Sequence, residues 1–162
     1  MDKTNVMRLL DQKKIPYMPH FYDTAFTDGL SVAEQLHEDP ARVFKTLVTA
    51  GANGTYYVFV IPVAENLDLK KAAKAVSVKS IDMLPQKQLL PITGYVHGGC
   101  SPIGMKKQFR TVLHESAAAY STICVSAGRL GAQIELSPDD LAAFVRASYA
   151  DLTASGSPGA FD

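Results

Sequence analysis

No stretch of this chain stays apolar for the ~20 residues a membrane-crossing helix needs, so a span of that kind is not expected. The opening MDKTNVMRLLDQKK is polar and periodic, unlike an export signal, and the expected compartment is the cytoplasm. Cysteine is scarce: Cys100 and Cys124 are the two, in no CxxC motif and at no metal-ligand spacing. In a reducing compartment both are expected as free thiols, with no metal and no cofactor implied. Neither sign of charge is in excess, since 16 Lys and Arg balance 16 Asp and Glu. A protein that grips a long nucleic acid by its phosphates is usually more basic. Any nucleic-acid partner is therefore expected to be held locally, at one end or one patch. Also missing are a Ser-His-Asp order, a P-loop and a dinucleotide fingerprint. The 162 residues suit one domain, read as residues 1–152 with a loose tail at 153–162.

What is present is a series of short helices and strands. Thr4 can cap a helix over Asn5–Lys14 with Val6, Leu9 and Leu10 as its stripe, and Pro16 stops it. Ile15–Tyr22, broken by Pro16 and Pro19, reads as an edge strand. Ser31 and Glu34 form a capping box for a helix to about Leu36. Asp39-Pro40 starts another turn. Val43–Ala50 is the strongest strand, and an Asn-Gly loop returns it as Tyr56–Val63, apolar on both faces and so central. Asp68–Val76 is a basic amphipathic helix with Leu69, Ala72, Ala73 and Val76 inward. Short strands are expected near Val78–Ile81, Thr111–His114, Thr122–Ser126 and Ile134–Leu136, with a weak helical turn at Leu84–Leu89. Ser137-Pro138-Asp139-Asp140 opens a last helix running to about Tyr149. The fold class is α+β, with a mixed, mostly antiparallel sheet curled toward a barrel and flanked by helices.

Gly94–Lys107, GYVHGGCSPIGMKK, is the most unusual stretch. It is expected to start as a strand, with Tyr95 and His97 on one side, and then to turn through Gly98, Gly99, Ser101 and Pro102. Such a turn either only turns, or points successive N–H groups inward as an oxyanion nest. Lys45 is out of pattern in the middle of an apolar strand; it either snorkels to the surface or lines a site and grips an anion. Ser126 either caps a turn or donates to a ligand. Cys100 with His97 is a weak nucleophile–base pair, and a small buried thiol is the simpler role. His20, His37 and His114 read as surface or packing residues. Glu135 faces opposite to Ile134 and Leu136, toward solvent or a strand-edge partner. No obvious nucleophile or general base emerges, so an enzyme built this way works by positioning and electrostatics, or its substrate supplies the reacting group.

FKTLV at 44–48, VAENLDLKKAAKA at 63–75, GYVHGGCSPIG at 94–104 and VSAGRLGAQIEL at 125–136 occur in this order. Together they resemble the YbaK/EbsC family, free-standing relatives of the editing domain of bacterial prolyl-tRNA synthetase. The likeness covers Thr4 to about Leu152 and is nearest to the Cys-tRNA(Pro) deacylase branch. It implies a barrel-like mixed sheet and cleavage of the ester joining cysteine to the wrong tRNA. A pocket rejects so similar a ligand by only ~1–3 kcal/mol, so a second sieve is needed. By the resemblance, Lys45 and Thr46 hold the 3′-terminal nucleotide of an aminoacyl-tRNA, and Tyr22 flanks its adenosine. Gly98, Gly99, Ser101 and Pro102 bind the ester carbonyl or aminoacyl group, with Lys45, Gly99 and Ser101 as the catalytic set. Ser126 and Gln133 complete the substrate site. Gln133 stands where relatives often carry Asp, which puts a role for that acid on the substrate's α-ammonium in doubt. The implied mechanism needs no protein nucleophile: the cysteinyl thiol attacks its own ester. Prolyl-tRNA synthetase is a candidate partner. The alternatives are a deacylase for another misacylated tRNA, such as Ala-tRNA(Pro), and a non-catalytic module that binds aminoacyl or nucleotide ends.

Overall fold

Thr4 caps the first helix through its hydroxyl, which accepts from the Met7 N–H at 3.2 Å. The computed structural model describes residues 2–25 and 28–154. Helix α1 (Asn5–Gln12) buries Val6, Met7 and Leu10. Strand β1 (Met18–Phe21), shorter than the expected Ile15–Tyr22, lies at a sheet edge, as Pro19 demands. Helix α2 (Gly29–Gln35) starts earlier than the capping box suggests. The carboxylate of Asp28 takes the cap instead, accepting the Ser31 N–H at 2.9 Å and the Ser31 hydroxyl at 2.8 Å. A carboxylate at the positive end of a helix is the stronger acceptor. A 3-10 turn over Pro40–Arg42 leads into β2 (Phe44–Gly51), which pairs antiparallel with β3 (Tyr56–Pro62).

Asp68 caps α3 (Leu69–Ala75), where Ala72 and Ala73 are buried but Leu69 is exposed. β4 (Ile81–Met83) falls later than expected and pairs only with Thr49–Gly51 of β2. The helical turn also comes later, as α4 (Leu89–Thr93), closed by Gly94 at φ +88°. Residues 95–97 therefore form no strand: a left-handed helix stop sends the chain into a loop. β5 (Arg110–His114), β6 (Ile123–Ser126) and β7 (Ala132–Leu136) follow. Helix α5 (Pro138–Val145) is capped by Ser137, as the sequence indicates. It ends before Tyr149 because Arg146 adopts φ 58°, and the chain returns as β8 (Ser148–Ala150).

Five strands form one sheet in the order β4-β2-β3-β5-β8, and three form another in the order β1-β7-β6. The β3–β5 and β5–β8 pairs are parallel and the others antiparallel. The sheets meet where Val43 bridges Cys124, which gives the mixed, barrel-like arrangement. β3 is central and buried on both faces. Val58 and Val60 enter the core between the sheets, with Phe44, Val48, Ile123, Val125, Ile134 and Leu136. Tyr57, Phe59 and Ile61 enter a second core under α3. Each large apolar side chain so buried contributes about 1.5–3 kcal/mol.

Leu152 is fully buried, Thr153 bridges Leu67 and the Ala154 N–H donates to the Asn66 carbonyl at 3.0 Å, so order runs two residues into the expected tail. Residues 155–162 lie outside the described residues. No helix among the described residues is long and apolar enough to cross a membrane.

The strand alternation of β7 decides where the polar groups go. Ala132, Ile134 and Leu136 face the core. Gln133 and Glu135 take the opposite face. By register that face also carries His20, Cys124 and Ser126 from the neighbouring strands.

Candidate functional site

β4 stops short of the first half of β2, so Lys45–Leu47 have no strand partner on that side among the described residues. A cleft of about 300 Å³ lies along this open edge. Val43–Leu47 form its floor, and the start of α2 forms one wall with Asp28, Gly29 and Leu30. Leu89, His97, Gly98 and Cys100 form another; Tyr22, Ser126 and Gln133 close the far side.

Six of the expected site residues therefore come together: Tyr22, Lys45, Thr46, Gly98, Ser126 and Gln133. Lys45 is half-buried, and desolvation pulls its pKa below the ordinary lysine value, with the charge of Glu65 opposing. Thr46 offers a buried hydroxyl with no hydrogen-bond partner among the described residues. Such an orphan costs about 1–3 kcal/mol, which a ligand would recover. Burial raises the Tyr22 phenol above its usual pKa. The Ser126 hydroxyl accepts the Gly128 N–H at 3.1 Å, so it caps a turn while its own O–H remains a donor at the cleft.

The other three stand behind the wall. The Gly99 N–H donates to the Val96 carbonyl at 3.0 Å, with Gly98 at φ +88° in the position where a type II turn needs it. Gly99 also packs on the Arg129–Leu130 backbone, and Ser101 and Pro102 are buried. The Ser101 hydroxyl accepts from the Ile103 N–H at 3.2 Å. The amides of Gly98 and Cys100, by contrast, have no hydrogen bond within the described residues and belong to cleft residues.

Burial pushes the Cys100 thiol up to about 12, with Thr93 opposing, far from a reactive thiolate. Asp28, Leu30, Val63 and Leu89 are not marked as site residues by the sequence. Only tertiary packing brings them to this edge, and no local pattern signals it.

Behind Gln133 lies a polar network on the same sheet face. The Gln133 amide nitrogen donates to both carboxylate oxygens of Glu38, at 3.1 and 3.2 Å, in the orientation that satisfies both groups. The Cys124 thiol donates to Glu38 at 3.5 Å. Glu135 pairs with His20 at 2.8 Å and Arg42 at 3.0 Å. Burial raises the Glu38 pKa, whereas hydrogen bonds from Thr122, His20 and Arg42 lower that of Glu135. His20, on the edge strand β1, is thus the strand-edge partner that the sequence allows for Glu135.

The donor atoms of His20, Glu38 and Cys124 lie within 4.8 Å of one another, close enough to share a metal ion. In the structure these groups are joined by hydrogen bonds, Cys124 to Glu38 and His20 to Glu135, and burial beside the two carboxylates raises the Cys124 thiol pKa.

A fold of this topology, with its cleft on an open strand edge, is that of an aminoacyl-tRNA editing domain. The model of the family described as "Aminoacyl-tRNA editing domain" matches residues 29–144, and the chain belongs to that family. A relative from Enterococcus faecalis (strain ATCC 700802 / V583), provisionally named Cys-tRNA(Pro)/Cys-tRNA(Cys) deacylase EbsC, is 48% identical over 155 residues, 93% of each chain. A solved structure provisionally described as a trans-editing enzyme for prolyl tRNA synthetase superposes with a TM-score of 0.81 at 21% identity, covering 95% of this chain and 100% of that one. Another, described only as a hypothetical protein, gives 0.86 at 19% identity over 93% and 99%. These two establish the fold.

Proposed function

We propose that this protein is a trans-acting deacylase that removes cysteine from mischarged Cys-tRNA(Pro). What carries the reading is the assembly of Tyr22, Lys45, Thr46, Gly98, Ser126 and Gln133 around one cleft, in a chain 48% identical to a relative bearing that deacylase name. Lys45 grips phosphate at the 3′ end of the tRNA as a point charge. The Thr46 hydroxyl bonds the same nucleotide, and Tyr22 flanks the terminal adenosine. The amides of Gly98 and Cys100 receive the ester oxyanion, a task the resemblance gives to the turn of Gly98, Gly99, Ser101 and Pro102.

The substrate supplies the nucleophile. Its thiol sulfur attacks the ester carbonyl carbon, the bond to the ribose oxygen breaks, and that oxygen leaves with the thiol's proton as the tRNA 3′ end. Cysteine departs as a cyclic thiolactone. Holding the two groups together can supply effective molarities of ~10⁵ M or more. The neutral net charge suits a protein that reads only the tRNA end, with prolyl-tRNA synthetase supplying the rest of the specificity.

The test is release of cysteine from Cys-tRNA(Pro) by purified protein, beside Ser-tRNA(Pro) and Ala-tRNA(Pro). Loss of the cysteinyl ester alone supports thiol assistance. Loss of the alanyl ester at a similar rate replaces it with an enzyme-held water. Saturable binding without release of any amino acid leaves a binding module.

A further inference from the structure

We propose that Glu38 is a positioning residue that fixes the Gln133 carbonyl oxygen as the cleft's acceptor for the substrate α-ammonium; this rests on the deacylase reading. An aminoacyl ester carries a free ammonium with three donors, and the cleft must meet them. Two cleft residues carry a carboxylate or an amide, Asp28 and Gln133. Asp28 is committed to the N–H and hydroxyl of Ser31 at the start of α2.

Gln133 could present either end of its amide. Glu38 decides which. A carboxylate only accepts, so both its oxygens draw the amide nitrogen, at 3.1 and 3.2 Å. The carbonyl oxygen is then the end turned away from Glu38, on a residue that lines the cleft. Glu38 is itself held by the Cys124 thiol at 3.5 Å and lies 3.9 Å from His20. Its negative charge behind the amide polarises the carbonyl toward a cation. The site then gains an acceptor biased for ammonium from a side chain that is itself neutral. The cleft acquires two ends: Lys45 for phosphate and Gln133 for the amine.

The experiment compares two esters on the same tRNA: cysteinyl, and 3-sulfanylpropanoyl, which keeps thiol and ester but lacks the α-amine. Wild type is expected to favour the cysteinyl ester by roughly ten- to a hundred-fold in kcat/KM, the worth of one hydrogen bond to a charged group. Glu38→Gln frees the amide to turn, so the preference collapses toward unity, chiefly through KM for the cysteinyl ester, while the rate on the deamino ester holds. Glu38→Asp keeps the charge but draws it back by a methylene, giving a smaller collapse in the same direction. It serves if Glu38→Gln does not fold. Equal slowing of both esters, or an unchanged preference in both variants, would overturn the proposal. Wild type cleaving both esters equally sinks this proposal alone. Wild type cleaving neither sinks the deacylase reading, and this proposal with it.

Discussion

Lys45 and Thr46 leave β2 on opposite faces and yet line the same cleft. Lys45 stands opposite Ile61 of the core under α3, and Thr46 opposite Val60 of the core between the sheets. Adjacent strand residues normally serve different surfaces. Here the cleft follows the open strand edge, so side chains from both faces and the backbone between them reach one ligand.

Lys45→Ala is expected to lower deacylation roughly ten- to a hundred-fold, since a charge-assisted contact is lost. Stability should change by no more than about 0.5 kcal/mol, as for a residue outside the core. Cysteine release and urea denaturation on the same preparation check both parts.

Thr46→Val should separate function from stability. Its buried hydroxyl has no partner among the described residues, so replacing it with a methyl of like shape should stabilise the fold by about 1 kcal/mol. Activity should fall. A thermal shift upward with slower turnover is the expected pair of results, and a destabilised variant would mean the hydroxyl is already bonded.

Cys100→Ala should keep most of the activity, because the buried thiol, near 12, is not a nucleophile. In the native protein both thiols should alkylate slowly with iodoacetamide at neutral pH, and quickly once urea exposes them. A folded, inactive Cys100→Ala protein would contradict the substrate-thiol mechanism.

His114 makes stability depend on pH. Its Nδ1 accepts the Leu152 N–H at 3.1 Å, which requires a neutral ring, and burial lowers its pKa from 6.5. A depressed pKa means that this contribution is complete above about 6.5 and is lost as pH falls through the lower, folded value. Urea midpoints should therefore drop across that window, and His114→Asn should flatten the slope.

Gly29→Ala should damage the cleft without touching a polar group. A Cβ there would lie 2.3 Å from Val63 Cγ1, so α2 must move off its seat. Overpacking of this kind costs about 1–3 kcal/mol. Combining it with Val63→Ala should restore part of the loss, measured as a double-mutant cycle.

The strands were legible wherever their alternation was strong. Lys45 was visible because a lysine interrupts FKTLV, and Ser137 because it precedes Pro138 and two acids. Gln133 was visible through the resemblance, but its partner Glu38 was not: they meet across β7 and the chain after α2, with nothing local to join them. β8 was hidden because Ala147–Ala150 continues a helical composition, and only the left-handed turn at Arg146 breaks it. Of the turn expected to form a nest, the Gly99 N–H is consumed by a type II turn. Turn hydrogen bonding of that kind follows from backbone dihedrals, which composition specifies only loosely.

A strand edge kept open for a ligand is also open to another strand. Unpaired N–H and C=O groups in a row are templates for adding a neighbour, and proteins usually blunt them with charge, proline or a covering loop. In this chain the covering falls to α2 and the Leu89–Cys100 segment, with Lys45 as the only charge on the floor. Loosening either wall, as Gly29→Ala would, exposes Val43–Leu47 beyond what a small ligand needs. The same edge that admits an aminoacyl end would then recruit copies of itself, so self-association under mild heating is the failure to expect from variants that merely widen the cleft.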